Sequence, residues 1–280
     1  MYEISSDDLN VLLLDPVADE KRFGTRYCTG GYVFQIVDRH TGTELLTGPT
    51  FPDEFHPVHG QGIPDTFNHR PLYLRRENSF LILGIGMCDL REDRIVSLCD
   101  WTVAEKSNSS IVFTTRHEFN EYSLQITRNV NVKGRTVESH TRVENRGTTY
   151  VPLSWYPHPF FPPREDNLLF SVPPSAYMDL PTGYFAVSDG MVRRNPGVGQ
   201  DRSFQPLVVG SEQNLAAVIH TGLGYECRMS TDYHSHFAPI WANEKTCSIE
   251  PYYDDTVFPG RSLSWTVRYA FEFEANRPES

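Results

Sequence analysis

The strongest constraint on the fold is an alternation of apolar and polar residues near the C-terminal end of the chain. Apolar side chains occupy every second position of residues 263–273, and mostly polar residues fill the positions between them. Because successive side chains of a β-strand point to opposite faces of a sheet, this pattern predicts a long antiparallel strand with one buried face. Residues 122–126 repeat the alternation, and residues 137–143 continue it weakly after the turn at Lys133-Gly134.

Short β-prone runs separated by turn signals extend this pattern along the chain. The runs are rich in β-branched and aromatic residues and lie at 32–37, 80–85, 111–115, 151–155 and 215–219. Glycine-containing turn signals stand between them, and we find no long apolar run at helical spacing. The sequence therefore predicts an all-β fold, a large antiparallel β-sandwich. No low-complexity linker or internal repeat divides residues 1–280, so we expect a single domain.

The charge balance restricts the partners that the chain can bind. The formal net charge is -11, with 36 acidic against 25 basic residues, and the acidic residues are spread along the chain. Polyanions are repelled at long range by such a surface, which argues against nucleic acid and anionic membranes. Aromatic residues make up 12% of the chain, enough for a sizeable core and for a small-molecule pocket.

Cysteine usage and the N-terminal residues bear on the compartment. The five cysteines are widely spaced and contain no C-x-x-C pair, so neither a disulfide framework nor a zinc site is predicted. The first residues lack the basic and apolar regions of a secretion signal, and no apolar run approaches the roughly 20 residues of a membrane helix. We therefore expect a cytoplasmic protein without a membrane span.

Three segments combine titratable residues with types that are common in sugar sites, and the first of them covers residues 51–70. It holds three histidines, His56, His59 and His69, and ends at Arg70. Glycines on both sides of Gln61 allow the backbone to approach a ligand closely. The alternative is a surface loop whose histidines are incidental, and the sequence does not decide which histidine enters a cleft.

The second segment places His158 between two prolines and among four aromatic residues, in residues 153–161. Burial in such a wall would lower the pKa of the imidazole toward the working range of a general acid. The alternative is a core histidine that is hydrogen bonded to a backbone carbonyl. The two prolines place this histidine on a stiff backbone.

The third segment places Glu250 at the end of a short apolar run and directly before Pro251. A carboxylate at the end of a strand and among aromatic residues is a candidate general base with a raised pKa. The alternative is a glutamate in a salt bridge at the rim of a sheet. The preceding stretch, residues 232–241, contains Asp232 and Trp241, which can hydrogen bond to a sugar and stack on it.

His234 and His236 raise a metal alternative, because alternate residues of a strand point to one face. A third ligand is needed, and Glu244 lies eight residues beyond His236, further away than the spacing of cupin-type sites requires. No metal site is therefore predicted.

Taken in order, these segments resemble the aldose 1-epimerase (galactose mutarotase-like) superfamily. The resemblance rests on His59-Gly60, on the Asn145 turn that leads to His158, and on Glu250 with Pro259-Gly260 before the final strand. It spans most of the chain, roughly residues 30–273.

The resemblance implies a β-supersandwich with a sugar cleft on a concave sheet face and interconversion of the α and β anomers of an aldose. Glu250 would take the proton of the anomeric hydroxyl while His158 protonates the ring oxygen, across one pocket at a hexose-sized separation. His59 would hydrogen bond to the ring oxygen or to a neighbouring hydroxyl. Further candidates for binding the substrate are Arg70, Asp232, Trp241, Gln61 and His56. No metal or organic cofactor is required, and the partner is a small carbohydrate.

The sequence is also compatible with two other functions. The domain could bind carbohydrate without catalysis, with Glu250 and His158 in structural roles. It could also carry out a different isomerase or lyase reaction on the same scaffold, because a fold does not fix its chemistry. A homodimer is compatible with the sequence, which does not define the oligomeric state.

Overall fold

The structure is a computed structural model of the 280-residue chain, and its regular elements are almost all β-strands. It describes residues 1–67, 79–89, 91–180, 183–196, 203–210 and 214–273, and the backbone of residues 75–76. Within these ranges a single 3-10 turn, Glu20–Arg22, accompanies the strands. The all-β prediction is confirmed.

The strands are numbered in chain order. They are β1 (Tyr2–Ser5), β2 (Leu9–Leu13), β3 (Val33–Asp38), β4 (Asp65–Phe67), β5 (Arg75–Arg76), β6 (Ser79–Ile82), β7 (Gly86–Asp89), β8 (Arg94–Leu98), β9 (Thr102–Lys106), β10 (Ser110–Phe119), β11 (Tyr122–Lys133), β12 (Thr136–Asn145), β13 (Val151–Pro157), β14 (Leu168–Ser171), β15 (Tyr177–Met178), β16 (Phe185–Ser188), β17 (Met191–Arg194), β18 (Ser203–Gln205), β19 (Leu207–Val208), β20 (Asn214–His220), β21 (Tyr225–His234), β22 (Ile240–Ala242), β23 (Cys247–Ile249), β24 (Tyr253–Val257) and β25 (Ser262–Phe273).

One ten-stranded antiparallel sheet forms the base of the molecule. Its strand order is β16-β17-β14-β20-β21-β25-β12-β11-β10-β9. Smaller sheets accompany it, and the one that matters for the site has the order β24-β13-β4. The two sheets pack face to face, because Trp155 of β13 and Tyr253 of β24 lie 5.3 and 4.5 Å from the ring of Trp265 in β25.

The alternation in the sequence explains the long central strands. In β25 the apolar residues from Trp265 to Phe271 are buried, as predicted, and polar neighbours such as Arg268 are exposed. Phe273 differs, because 46% of its surface is exposed at the end of the strand, where the guanidinium of Arg135 lies 4.4 Å above its ring. The buried face therefore stops one residue pair earlier than the sequence pattern suggests.

A buried ion pair joins the large sheet to the small one. Arg128 of β11 stands on the buried face of its strand, and its Nη1 donates to the Asp65 carboxylate of β4 at 2.5 Å. A second donor, Nη2, reaches the Ser139 hydroxyl at 3.0 Å. Because both charges are almost fully buried, each depends on the other for compensation. This pair ties β4, which pairs with β13, to the large sheet.

The remaining observations concern the compartment. No helix among the described residues is long and apolar enough to cross a membrane. All five cysteines are free thiols, and four of them are buried.

Candidate active site

The register of the small sheet brings His158 and Glu250 together. Trp155 in β13 pairs with Tyr253 in β24, and further along the same two segments Phe161 forms a bridge with Cys247. The two pairs have the same antiparallel register, and extending it between them places His158 opposite Glu250. Directly opposed residues of an antiparallel pair have neighbouring side chains on the same face of the sheet.

The neighbouring pair in this register supports the alignment. Tyr156 stands opposite Tyr252, and their rings are stacked with centroids 4.3 Å apart. The odd-numbered residues of β13, such as Trp155, point into the core against the large sheet. Tyr156, His158 and Phe160 therefore share the opposite face, which is the face of the small sheet that carries the site.

The prolines beside His158 fit this arrangement without breaking the sheet. The amide of His158 donates to the carbonyl of Pro64, and the amide of Phe160 donates to the carbonyl of Gly62, both at 2.8 Å. The missing amide hydrogens of Pro157 and Pro159 fall at the alternate positions, so they cost no bond to this neighbour. The imidazole therefore projects from a stiff backbone that is anchored to residues 62–64.

His158 and Glu250 are in direct contact. Nε2 of His158 lies 3.1 Å from Oε1 of Glu250, and the two residues are 1% and 3% exposed. The expectation of a hexose-sized separation between them was wrong, because a directly opposed cross-strand pair leaves no room for a sugar ring between the two side chains. The two groups form one acid–base pair in direct contact.

Burial moves the two pKa values of this pair in opposite directions. It raises the pKa of Glu250 from 4.5 to about 8, with Arg26 opposing the shift. Burial also lowers the pKa of His158 well below 6.5, and the charge of Arg26 lowers it further. Both shifts disfavour the charged form, so near neutral pH the pair holds one proton on Glu250 beside a neutral imidazole.

Aromatic rings enclose the imidazole. The ring of Tyr27 stands perpendicular to it at 5.9 Å, Phe160 lies 4.4 Å away, and Trp241 approaches edge-on at 6.0 Å. These rings exclude water from His158, which is the physical origin of its lowered pKa.

A cavity of about 240 Å³ opens beside His158. Its lining residues are Arg26, Pro49, Thr50, His59, His158, Phe160, Trp241 and Asn243. The volume is below the roughly 300–1,000 Å³ of pockets for drug-sized ligands, which favours a smaller molecule. Glu250 is absent from the lining and touches the cavity through its contact with His158.

Three residues singled out in the sequence, His59, His158 and Trp241, thus line one cavity, and Glu250 adjoins it. His56 does not enter the cavity, because it is exposed and stacks on the outer side of His59 with ring centroids 4.4 Å apart.

The other residues predicted to bind substrate lie elsewhere. Gln61 is buried outside the cavity lining, and its backbone N–H donates to the Tyr32 hydroxyl at 3.1 Å. Asp232 is exposed on β21, where its Oδ1 accepts the amide of Thr266 at 2.7 Å, so the structure does not bring it to the cavity. Arg70 and His69 lie outside the described residues.

The glycines around Gln61 serve the protein rather than a ligand. Gly60 has a φ of 77°, and a Cβ there would come within 2.6 Å of the Tyr27 ring. Gly62 has a φ of 80°, and a Cβ would come within 2.4 Å of the Phe34 carbonyl oxygen. Only glycine allows these close approaches, which fix His59 at the cavity wall.

Sequence reasoning missed Arg26, Thr50 and Asn243. Asn243 follows Trp241 by two residues, and this short distance in the sequence could have indicated its place in the cavity. Its side chain donates to the Pro49 carbonyl at 3.0 Å and so connects two lining residues. Arg26 stands in an irregular stretch without a motif, and only the three-dimensional arrangement places it beside His158.

The metal alternative finds no third ligand. No group of three or more metal-ligating side chains occurs in the part of the chain that the structure describes. His234 and His236 are both exposed, and neither lines the cavity.

The chain forms a β-supersandwich, and solved structures with this fold are similar to it. A galactose mutarotase related enzyme from Lactobacillus acidophilus has a TM-score of 0.68 at 12% identity, with 100% of this chain and 99% of that chain covered. A galactose mutarotase-like protein from Lactobacillus casei has a TM-score of 0.64 at 14% identity, with 97% and 100% covered.

An aldose epimerase homologue from C. elegans matches with a TM-score of 0.55 at 13% identity, covering 98% of both chains. A scan against protein-family models and a search of curated proteins each find no match. The chain therefore has the galactose mutarotase-like fold, and the resemblance in the sequence is confirmed at the level of the fold.

Proposed function

We propose that this protein is an aldose 1-epimerase-like isomerase that interconverts the α and β anomers of a sugar. The observation that carries the proposal is the buried contact between His158 and Glu250 at the edge of a cavity of about 240 Å³. A carboxyl group and an imidazole whose pKa values are displaced in opposite directions form a suitable pair for general acid–base catalysis.

The short distance between the two groups suits this reaction. Opening an aldose ring requires one proton to leave the anomeric hydroxyl and one proton to reach the ring oxygen. Both oxygens are bonded to the same carbon, so the base and the acid must be neighbours. Two groups 3.1 Å apart can meet this demand, whereas groups on opposite sides of a hexose could not.

His158 and Glu250 together can supply and take up every proton that the reaction moves. In the proposed cycle the proton on Glu250 passes along the contact to His158, and the sugar then enters with its anomeric hydroxyl toward the carboxylate. Glu250 takes the hydroxyl proton, His158 protonates the ring oxygen, and the bond between the anomeric carbon and the ring oxygen breaks. Rotation of the free aldehyde and reversal of both transfers give the other anomer, and no net proton is consumed.

The neighbouring cavity residues have binding roles in this proposal. Trp241 offers an aromatic face to the sugar ring. His59, on the wall that Gly60 shapes, is within the cavity to hydrogen bond to the ring oxygen or to a nearby hydroxyl. Two of the similar solved structures, a galactose mutarotase related enzyme and an aldose epimerase homologue, agree in name with this class of reaction.

The test follows anomer exchange by NMR in solutions of several aldoses with purified protein. We expect the wild type to accelerate exchange for at least one sugar and the Glu250→Gln variant to lose that acceleration. Glu226→Gln is a matched control, because Glu226 also contacts a histidine, His220, at 2.8 Å, but on a partly exposed surface away from the cavity.

Two results would contradict the proposal. One is full activity in the Glu250→Gln variant. The other is the absence of exchange for every sugar tested together with saturable binding in calorimetry, which would indicate a carbohydrate-binding domain without catalysis.

A further inference from the structure

We propose that the sugar handled by this cavity carries a carboxylate, as a uronic acid does, and that Arg26 binds that carboxylate. This inference rests on the proposed function and names its substrate class. The structural basis is a guanidinium that lines the cavity and forms no salt bridge with the described residues.

Arg26 is held in place by aromatic side chains rather than by an ion pair. Its guanidinium carbon lies 5.1 Å from the centroid of the Tyr27 ring, and its side chain is hydrogen bonded to Tyr156. Among the described residues it forms no salt bridge, although Glu250 lies close enough for its charge to act on Arg26. A guanidinium has five N–H donors, so donors remain for a ligand after the bond to Tyr156.

Two other buried or half-buried arginines are paired with carboxylates, whereas the half-buried Arg194 forms no salt bridge among the described residues; it donates to the Asn243 carbonyl and does not line the cavity. The buried Arg128 pairs with Asp65, and the half-buried Arg135 pairs with Asp38 at 2.5 Å. An unpaired charge in a partly dry site is costly unless a ligand compensates it. Arg26 is thus a cation on the cavity wall that forms no salt bridge with the residues that the structure describes.

The cavity as a whole is poor in negative charge. Its lining contains one arginine, two histidines, and neutral polar or apolar residues, but no aspartate or glutamate. The nearby Glu250 is held in its neutral form near neutral pH, because burial raises its pKa to about 8. In a chain with a formal net charge of -11, this cavity is a local positive site that suits an anionic ligand.

The chemistry of the site favours a carboxylate over a phosphate. The planar fork of a guanidinium matches the two oxygens of a carboxylate, and its single charge matches a monoanion. A phosphate ester carries close to two negative charges, and the lining supplies no second permanent cation. In a uronic acid the carboxylate is attached to the carbon next to the ring oxygen. A ring oxygen at His158 therefore places the carboxylate in the same cavity as Arg26.

The experiment compares anomer exchange of D-glucuronate, D-galacturonate, D-glucose and D-glucose 6-phosphate by the wild type and by three variants. Arg26→Gln removes the cation, Arg26→Lys keeps the charge without the fork, and Arg22→Gln removes a nearby exposed charge outside the cavity. Circular dichroism and thermal unfolding establish that each variant is folded. Calorimetry with D-glucuronate and the Glu250→Gln variant measures binding independently of turnover.

We expect kcat/KM for the uronates to exceed that for D-glucose. We expect Arg26→Gln to lower it by about 10- to 100-fold, with Arg26→Lys intermediate and Arg22→Gln unchanged. Equal handling of glucose and uronates, or a preference for glucose 6-phosphate, would overturn the inference and leave the epimerase proposal standing. Glucuronate binding that depends on Arg26 but is accompanied by no exchange would support the inference and overturn the epimerase proposal. Neither binding nor exchange would overturn both.

Discussion

The unusual protonation of Glu250 predicts a specific dependence of stability on pH. In the folded protein burial raises the pKa of Glu250 from 4.5 to about 8. Between these values the folded protein retains a proton that the unfolded chain has lost. The free energy of unfolding therefore falls as the pH rises, by about 1.4 kcal/mol per pH unit.

His158 acts in the opposite direction over a lower pH range. In the folded protein the pKa of His158 lies well below 6.5. Just below pH 6.5 the unfolded chain therefore binds a proton that the folded protein does not bind, and the free energy of unfolding falls on acidification. Below pH 6.5 the contributions of Glu250 and His158 oppose each other. From pH 6.5 to about 8 only Glu250 contributes, so we expect a loss of about 2 kcal/mol over this interval.

The assay is denaturant unfolding at several pH values for the wild type, the Glu250→Gln variant and the Glu226→Gln control. Because glutamine does not titrate, we expect the difference in stability between wild type and Glu250→Gln to change by about 2 kcal/mol between pH 6.5 and 8. The Glu226→Gln control should follow the wild type. A difference that is constant over this range would refute the claim that Glu250 is protonated in the folded protein.

Three further predictions follow from the site and its support. In a pH–rate profile the activity should be constant near neutral pH and fall above about pH 8, because the pair then loses the one proton that it exchanges with the sugar. A rate that still rises above pH 8 would contradict this prediction. Asp65→Asn should lower the free energy of unfolding by about 3–5 kcal/mol in denaturant unfolding, because it leaves the Arg128 charge buried without a partner. The double variant Asp65→Leu with Arg128→Met removes both charges and should cost far less. Similar losses in the two variants would show that the two charges do not compensate each other. Gly60→Ala should cost about 1–3 kcal/mol, measured in the same way, because its φ of 77° and the Tyr27 ring both oppose a Cβ; an unchanged stability would contradict that.

The fold could be predicted from the sequence, because the alternation of apolar and polar residues is a local signal. The period of two in residues 263–273 specifies both the strand and its buried face, and the structure confirms this from Trp265 to Phe271. The same rule could have excluded Asp232 from the cavity. Thr231 and Tyr233 are buried on β21, so the residue between them must point to the opposite face.

The geometry of the site could be predicted from the sequence only in part. Burial of His158 and Glu250 among aromatic residues can be predicted from their neighbours in the chain. Their separation depends on the register of two segments that are about ninety positions apart, which no local pattern encodes. Arg26 was missed for the same reason, because its role arises from a third distant segment.

The most direct test of the account is a crystal structure of the Glu250→Gln variant with a bound sugar. The account predicts that the anomeric carbon lies at the pair. The anomeric oxygen should be within about 2.6–3.2 Å of the side chain at position 250, and the ring oxygen should be equally close to Nε2 of His158. A sugar bound in the cavity with its anomeric carbon turned away from both side chains would contradict the account.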